Sequence, residues 1–316
     1  MIIIPKKAYF TIVASTVRFA NNRLSTEDWL EVYGIFIGKN DGEDVIVSAA
    51  YPITHQVKKK EDIIDKVYWS EEDYASSEEI EIEAIPRNEF IVGWWHSHPG
   101  FKVMLSGFGD KRTTLSYQES NPLAIALVFN PLRLVRQIEL PDKKGDPVKQ
   151  LKNDPGFEIF RLDDVKKGDK GTYHAVDYKI LGYDSMEQLM SSTQKFLIDV
   201  TSFFPKDKIF ETYEKFVNDQ VNQLNALLIG TEEYLTTLSR QGESHRIPEV
   251  LENQNKEVRK FVAKTYVKIE NIKEYMDYLE YKERGLVIPR VKEILSGWDL
   301  AISDLDERLA ELSKKF

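Results

Sequence analysis

The sequence contains no cysteine. That excludes disulfides, thiolate metal sites and a cysteine nucleophile, and it leaves the redox compartment open. No apolar run approaches the roughly 20 residues that a membrane-spanning helix needs. An excess of positive charge is missing too: 43 Lys and Arg stand against 52 Asp and Glu, for a formal net charge of −9. A chain built to bind nucleic acid would usually be basic, so that partner class is set aside. A secretory leader is not expected either. The apolar stretch from Ala8 to Ala14 behind Lys6-Lys7 is short, and Thr11, Ser15, Thr16 and Arg18 interrupt it. Tyr9, Phe10, Val13, Val17 and Phe19 suit an amphipathic helix instead, and a cytoplasmic protein is the default expectation.

What is present is 316 residues, 42% hydrophobic and 30% charged. Such a chain can bury a core and is long enough for one large or two ordinary domains.

The stretch that carries chemistry begins with Phe-Ile-Val-Gly-Trp-Trp, residues 90 to 95, an apolar, β-branched and aromatic run that reads as a buried strand. His96 and His98 follow at its end. In an extended chain residues i and i+2 share a face, so the two imidazoles can converge on one cation. Pro99-Gly100 then turns the chain, and Ser106 and Asp110 come shortly after. Two His and one Asp form a three-ligand set for zinc, whose catalytic sites keep a fourth position for water. Such a site also needs a base that is not a ligand, and the best candidate lies upstream in Glu31-Val32-Tyr33-Gly34. An H-x-H pair alone is a weak signal; most are surface strand residues.

Together these residues resemble the JAMM (MPN+) metalloproteases, whose pattern is an upstream Glu, then H-x-H-P, then Ser and Asp. The run Gly-Trp-Trp-His-Ser-His-Pro-Gly-Phe with Leu105-Ser106 is most like the members found in the proteasome lid and the signalosome. The resemblance covers roughly residues 1 to 180. It implies His96, His98 and Asp110 as zinc ligands, Glu31 as general base and Ser106 as oxyanion donor. It also implies an isopeptidase acting on ubiquitin or ubiquitin-like conjugates. One departure stands out. The family spaces Ser and Asp as S-x-x-D, whereas here the chain reads Ser106-Gly-Phe-Gly-Asp110, one residue longer. The flanking glycines are where a chain adjusts most cheaply, and a bulge at Gly107 to Gly109 would let Asp110 reach the metal.

The fold expected is α+β: the resemblance implies an MPN (cytidine-deaminase-like) α/β/α domain with a mixed curved sheet over 1–183, and the heptad spacing predicts a helical bundle or coiled coil over 184–316. Strands are expected at Ile2–Ile4, Val32–Gly38, Val45–Tyr51, Leu123–Phe129, Leu134–Leu140, Glu158–Leu162 and Tyr173–Ile180. Helices are expected from Pro5 to Ala20, from Ser70 to before Pro86, and from Asp110 to Glu119. Polar segments near 54–69 and 141–156 read as solvated loops, and match in place two family insertions, the first of which guides the substrate tail. Beyond 184, heptad spacing runs through Val217 to Leu238, Val258 to Leu279 and Leu295 to Phe316, with Gly285 and Pro289 dividing the last two helices. Helices of that length cannot bury their stripes alone. They close on themselves, or pair with an MPN-type partner or a second copy; the family adds the proteasome as a candidate host.

His55, His174 and His245 read as structural or solvated. Trp94 and Trp95 read as core. Two other functions stay open: a non-catalytic MPN scaffold, whose known relatives typically lose the metal ligands, and a JAMM hydrolase acting on a non-ubiquitin peptide.

Overall fold

The computed structural model describes every residue except 22–23, 57–68, 108, 136–138, 142–146, 150–153 and 204–208. For 135, 139–141, 147–149, 198–203, 209–213, 270–275 and 286 it describes the backbone alone. The elements are β1 (Ile2–Ile4), α1 (Lys6–Phe19), β2 (Glu31–Asp41), β3 (Asp44–Gln56), α2 (Glu71–Ala84), β4 (Phe90–Ser97), α3 (Gly109–Ser120), β5 (Ile125–Phe129), α4 (Leu132–Val135), β6 (Glu139–Pro141), β7 (Pro147–Lys149), β8 (Phe157–Leu162), β9 (Tyr173–Ala175), β10 (Tyr178–Ile180), α5 (Met186–Phe203), α6 (Ile209–Arg240), α7 (Ile247–Met276) and α8 (Tyr281–Lys315). They form two compact units. One holds Met1–Lys206 with Asp277–Glu283, the other Asp207–Met276 with Arg284–Phe316.

The first unit is built on a mixed eight-stranded sheet of order β10-β1-β3-β2-β4-β5-β8-β9. β9 and β10 lie at opposite edges, yet only Val176 and Asp177 separate them in the chain. The sheet must therefore curl strongly. Tyr173–Ile180, expected as one strand, is thus two: the Val176 N–H donates to Ile159 O, the Ile2 N–H to Asp177 O, and the chain changes partner between them.

Strand alternation sorts the core into two faces. Val32, Phe36 and Trp95 point to α1, whose residues Ala8 to Val17 are all buried. That burial exceeds what an amphipathic helix shows, because α5 covers the outer side of α1. Phe196 packs on Phe10 with ring centroids 4.4 Å apart, and Thr193 Oγ1 donates to the Tyr9 hydroxyl at 3.2 Å. Ile35, Ile37 and Ile53 face Ile80 and Ala84 of α2, while Tyr33, Trp94, Ala126 and Val128 share a cluster with Leu115 of α3. The layers are α/β/α.

Local rules set the boundaries. Ser70 and Asp73 exchange side chain-to-backbone hydrogen bonds in a capping box that starts α2. Gly42, with φ +60°, closes the β2–β3 hairpin. Leu134 and Val135 were expected in a strand but finish the short helix α4. The Asn130 side chain accepts the Leu132 N–H at 3.0 Å and nucleates that turn. Residues 57–68 of the first expected insertion, and 142–146 and 150–153 of the second, lie outside the described residues.

In the second unit the heptad stripes are covered within the chain. Val217, Leu224, Leu228, Leu235 and Leu238 are buried, as are Val258, Thr265 and Ile269, and Trp298, Leu305 and Leu312. Gly285 and Pro289 do not divide two helices; both lie inside α8. The break falls just before Tyr281. There the Glu283 carboxylate accepts the Glu280 N–H at 3.1 Å and fixes a helix start. Pro289 then forfeits one hydrogen bond to the carbonyl of Gly285, where no Cβ crowds the turn.

Candidate metal centre

β4 is the central positioning element. It pairs antiparallel with β2 and parallel with β5. Gly93 allows that closeness: at φ +155°, a Cβ there would lie 2.2 Å from Ile125 O. Gly34 does the same across the sheet, since a Cβ would meet two indole carbons of Trp95 and Tyr51 O, each at 2.3 Å.

His96 and His98 leave the end of β4 on one face. His96 is fully buried, stacked between Trp94 (centroids 4.5 Å, planes 8° apart) and Tyr33 (5.6 Å, 3°). Its Nδ1 has no hydrogen-bond partner among the described residues, so aromatic packing sets its orientation. His98 is held differently. Its Nδ1 lies 2.9 Å from Lys102 O, and a carbonyl only accepts. Nδ1 therefore carries a proton, which leaves Nε2 as the nitrogen that can offer its lone pair to a cation in the site. The backbone of this turn is pinned as well: the His98 N–H donates to Phe129 O at 2.7 Å, and Asn130 Nδ2 to Phe101 O at 2.8 Å.

Asp110 arrives from the first turn of α3. Trp94 Nε1 donates to Thr114 Oγ1 at 3.2 Å, and that hydroxyl donates to Asp110 O at 2.7 Å, so the indole stacked on His96 also docks the helix. Asp110 Oδ1 lies 3.3 Å from His96 Nε2, Oδ2 lies 3.4 Å from His98 Nε2, and the two Nε2 atoms are 2.9 Å apart. A tetrahedral cation with bonds of about 2.0–2.1 Å holds its ligand atoms about 3.3–3.4 Å apart. The triad is positioned for metal binding, and these are the only three His or carboxylate groups so gathered among the described residues. The extra residue between Ser106 and Asp110 does not keep the carboxylate away. Phe108, within the expected bulge, lies outside the described residues.

Electrostatics agree with the donor set. Burial pushes the Asp110 carboxyl up, but the charges and hydrogen bonds of His96 and His98 outweigh it and hold the group far below the usual carboxylate range. Burial pushes His98 down, and its hydrogen bond and charge contact with Asp110 reverse that, raising it. A buried carboxylate needs a compensating positive charge, and a proton on the imidazoles and a cation between them are alternative ways to supply it.

Glu31 and Ser106 sit at the rim. Glu31 is the first residue of β2, half-buried, and its carboxylate accepts the Tyr33 hydroxyl at 2.5 Å. Tyr33 pairs with His96 across the strands, so both side chains share a face. Continued by two residues, that register sets Glu31 against His98, which feels the Glu31 charge. The Ser106 N–H donates to Asp110 Oδ2 at 2.6 Å, which ties the serine to the triad through its backbone.

Sequence reasoning passed over two residues. Ser97, between the histidines, points to the opposite face, fully buried, and its Oγ accepts the Val32 N–H at 2.9 Å. Asn130 fastens the turn after His98. A short polar residue inside an apolar strand, or just after one, was the available signal. The other histidines lie elsewhere: His55 pairs with Glu280, His174 pairs with Asp163, and His245 is exposed.

Residues 1–122 match the family model described as JAB1/Mov34/MPN/PAD-1 ubiquitin protease. Over 107 residues the chain is 31% identical to COP9 signalosome complex subunit 5b of Arabidopsis thaliana, which covers 34% of this chain and 28% of that protein. Over 50 residues it is 44% identical to 26S proteasome non-ATPase regulatory subunit 14 of Dictyostelium discoideum, covering 16% of each chain. A similar 50-residue match, 42% identical and also 16% of each chain, joins it to the ubiquitin carboxyl-terminal hydrolase RPN11 of Saccharomyces cerevisiae. The matched parts are thus less than a third of each relative's length. The family match holds β1 to α3, including His96, His98 and Asp110, and the N-terminal part of this chain is a JAB/MPN domain.

Proposed function

We propose that the chain is a zinc-dependent isopeptidase that hydrolyses the amide bond between ubiquitin, or a ubiquitin-like modifier, and a substrate lysine. The observation that carries this reading is the convergence of His96 Nε2, His98 Nε2 and the Asp110 carboxylate: the nitrogens lie 2.9 Å apart, with Oδ1 3.3 Å from His96 and Oδ2 3.4 Å from His98. A zinc ion held there would supply Lewis acidity and a water of pKa about 7. Glu31, at the rim and not among the three ligands, takes the proton from the attacking water on its carboxylate and delivers it to the leaving amine. The Ser106 hydroxyl donates a hydrogen bond to the oxyanion that develops on the scissile carbonyl. Tyr33 holds the Glu31 carboxylate on the His96 side of the sheet.

The substrate class rests on relatives whose names give a ubiquitin hydrolase and signalosome and proteasome subunits. The names that give complex subunits support an assembly partner; that this partner is an MPN-type subunit or a second copy bound by the C-terminal helices, in the cytoplasm, belongs to the same proposal. No helix among the described residues is long and apolar enough to cross a membrane.

The test is hydrolysis of a modifier–lysine isopeptide by the full chain loaded with zinc, beside Glu31→Gln. The variant keeps its metal and loses about 10²–10⁴ in rate, as expected for removal of a general base. A variant that loses the metal, or turns over at the normal rate, overturns the assignment.

A further inference from the structure

Residues 277–280 connect α7 to α8, and together with the first turn of α8 they form the segment Asp277–Glu283, which belongs to the first compact unit while the two helices lie mainly in the second. Nearly every residue in this segment grips the first unit. Lys7 pairs with Asp277 at 2.6 Å, and Tyr278 packs edge-on against Phe196. The Tyr281 hydroxyl donates to Glu83 Oε1, Lys282 reaches Asp73 at 2.9 Å, and Arg18 forks onto Glu283 at 2.7 and 3.0 Å. Glu280 is the most enclosed charge in the segment, with a side chain 2% exposed. Its Oε1 lies 2.5 Å from His55 Nδ1, and its Oε2 lies 3.8 Å from Lys282 Nζ. The carboxylate can only accept, so His55 donates. The His55 ring is further stacked on Phe19, centroids 4.2 Å apart and planes 18° apart.

His55 occupies a particular place in the sheet. In the β2–β3 ladder it stands opposite Val32, and the next residue, Gln56, stands opposite Glu31. Glu31 opens β2 and Gln56 closes β3, so this pair is the last rung of the ladder. A terminal rung frays unless something holds it. From the β4 side, Ser97 Oγ holds Val32. From the β3 side, the group that holds His55 is Glu280.

We propose that the α7–α8 connection is a strap that positions Glu31. Glu280 fixes His55, His55 fixes the end of β3, and the end of β3 fixes the rung on which Glu31 is carried. Glu280 and His55 are positioning residues; neither touches the metal triad. This inference rests on the general-base reading of Glu31, because only then does the placement of that rung govern a rate.

The experiment uses the full chain in four forms: wild type, Glu280→Ala, Glu280→Gln and His55→Phe. Glu280→Gln keeps an acceptor for the His55 N–H, and His55→Phe keeps a ring over Phe19 while removing the donor. Hydrolysis of a modifier–lysine isopeptide, zinc content and amide hydrogen exchange are measured on each. Glu280→Ala and His55→Phe are expected to lose about tenfold in kcat with KM and zinc content little changed, the pattern of a displaced catalytic group. Their amides at 31–33 and 54–56 exchange faster, and those at 91–96 do not. Glu280→Gln stays near wild type. Wild-type kcat and wild-type exchange in His55→Phe overturn the strap, whether or not Glu280→Ala folds. If wild type hydrolyses nothing, the functional reading has failed, and exchange at 31–33 and 54–56 alone decides whether the strap holds that rung.

Discussion

Ser97→Ala isolates the hold that β4 exerts on the start of β2. The Ser97 side chain is fully buried, Val32 is fully buried, and the 2.9 Å bond from the Val32 N–H to Ser97 Oγ links the two strands there. Alanine nearly preserves the volume, so no cavity of consequence opens. What changes is the acceptor: a buried N–H is left without its partner, a loss of about 1–3 kcal/mol. For a folded unit of roughly 200 residues each kcal/mol moves the unfolding midpoint about 2–4 °C, so the midpoint should fall by about 2–12 °C. Metal binding should survive, because Ser97 faces away from His96 and His98 on the alternating strand. Turnover should fall more than KM rises, because Glu31 precedes Val32 and loses its fixed strand start. Thermal unfolding followed by circular dichroism, with zinc measured on the same samples, checks each part. An unchanged midpoint would show that Val32 is satisfied in another way. Loss of zinc would show that Ser97 supports the triad and not the rim.

Two further outcomes follow from the same packing. Gly34→Ala places a methyl 2.3 Å from the Trp95 indole and from Tyr51 O, so overpacking should destabilise by about 1–3 kcal/mol or more; a midpoint equal to wild type would contradict this. At Asp73, burial pushes the carboxyl up, but the Ser70 N–H, Lys282 and the Ser70 hydroxyl outweigh it and hold it low. A depressed carboxyl stabilises above its unfolded pKa of about 3.9, and that stability is lost as pH falls through the lower folded value. Asp73→Asn should therefore lower stability at neutral pH and make the acid limb of a stability–pH curve shallower. A variant curve parallel to wild type throughout would refute it.

The parts of this molecule that were legible in its sequence are those governed by local periodicity. Two imidazoles at i and i+2 at the end of an apolar strand had to share a face. Ser70 with acidic residues behind it had to start a helix, and the mix of strands and helices sufficed for an α+β fold, while the curved mixed sheet came only with the family resemblance. Asp110 was legible because two glycines precede it and no other carboxylate lies near. Illegible parts depend on which strands become neighbours. Nothing local says that Val32 lies beside Ser97, so the serine between the histidines carried no message. The split of Tyr173–Ile180 is a consequence of sheet curvature, which no alternation pattern encodes. Pro289 was read as a boundary because proline usually is one; the carboxylate of Glu283 moved the helix start upstream. The strap at 277–283 is short and mixed in character, and only its contacts distinguish it from a linker.

The central claim is that His96, His98 and Asp110 hold one zinc ion despite the additional residue after Ser106. Elemental analysis and native mass spectrometry of the full chain, purified without chelator, test it most directly beside Asp110→Ala. The account predicts one zinc per chain in wild type and none in the variant, because two imidazoles are too few for a structural or catalytic zinc. Wild type without zinc, or Asp110→Ala with a full equivalent, would contradict it.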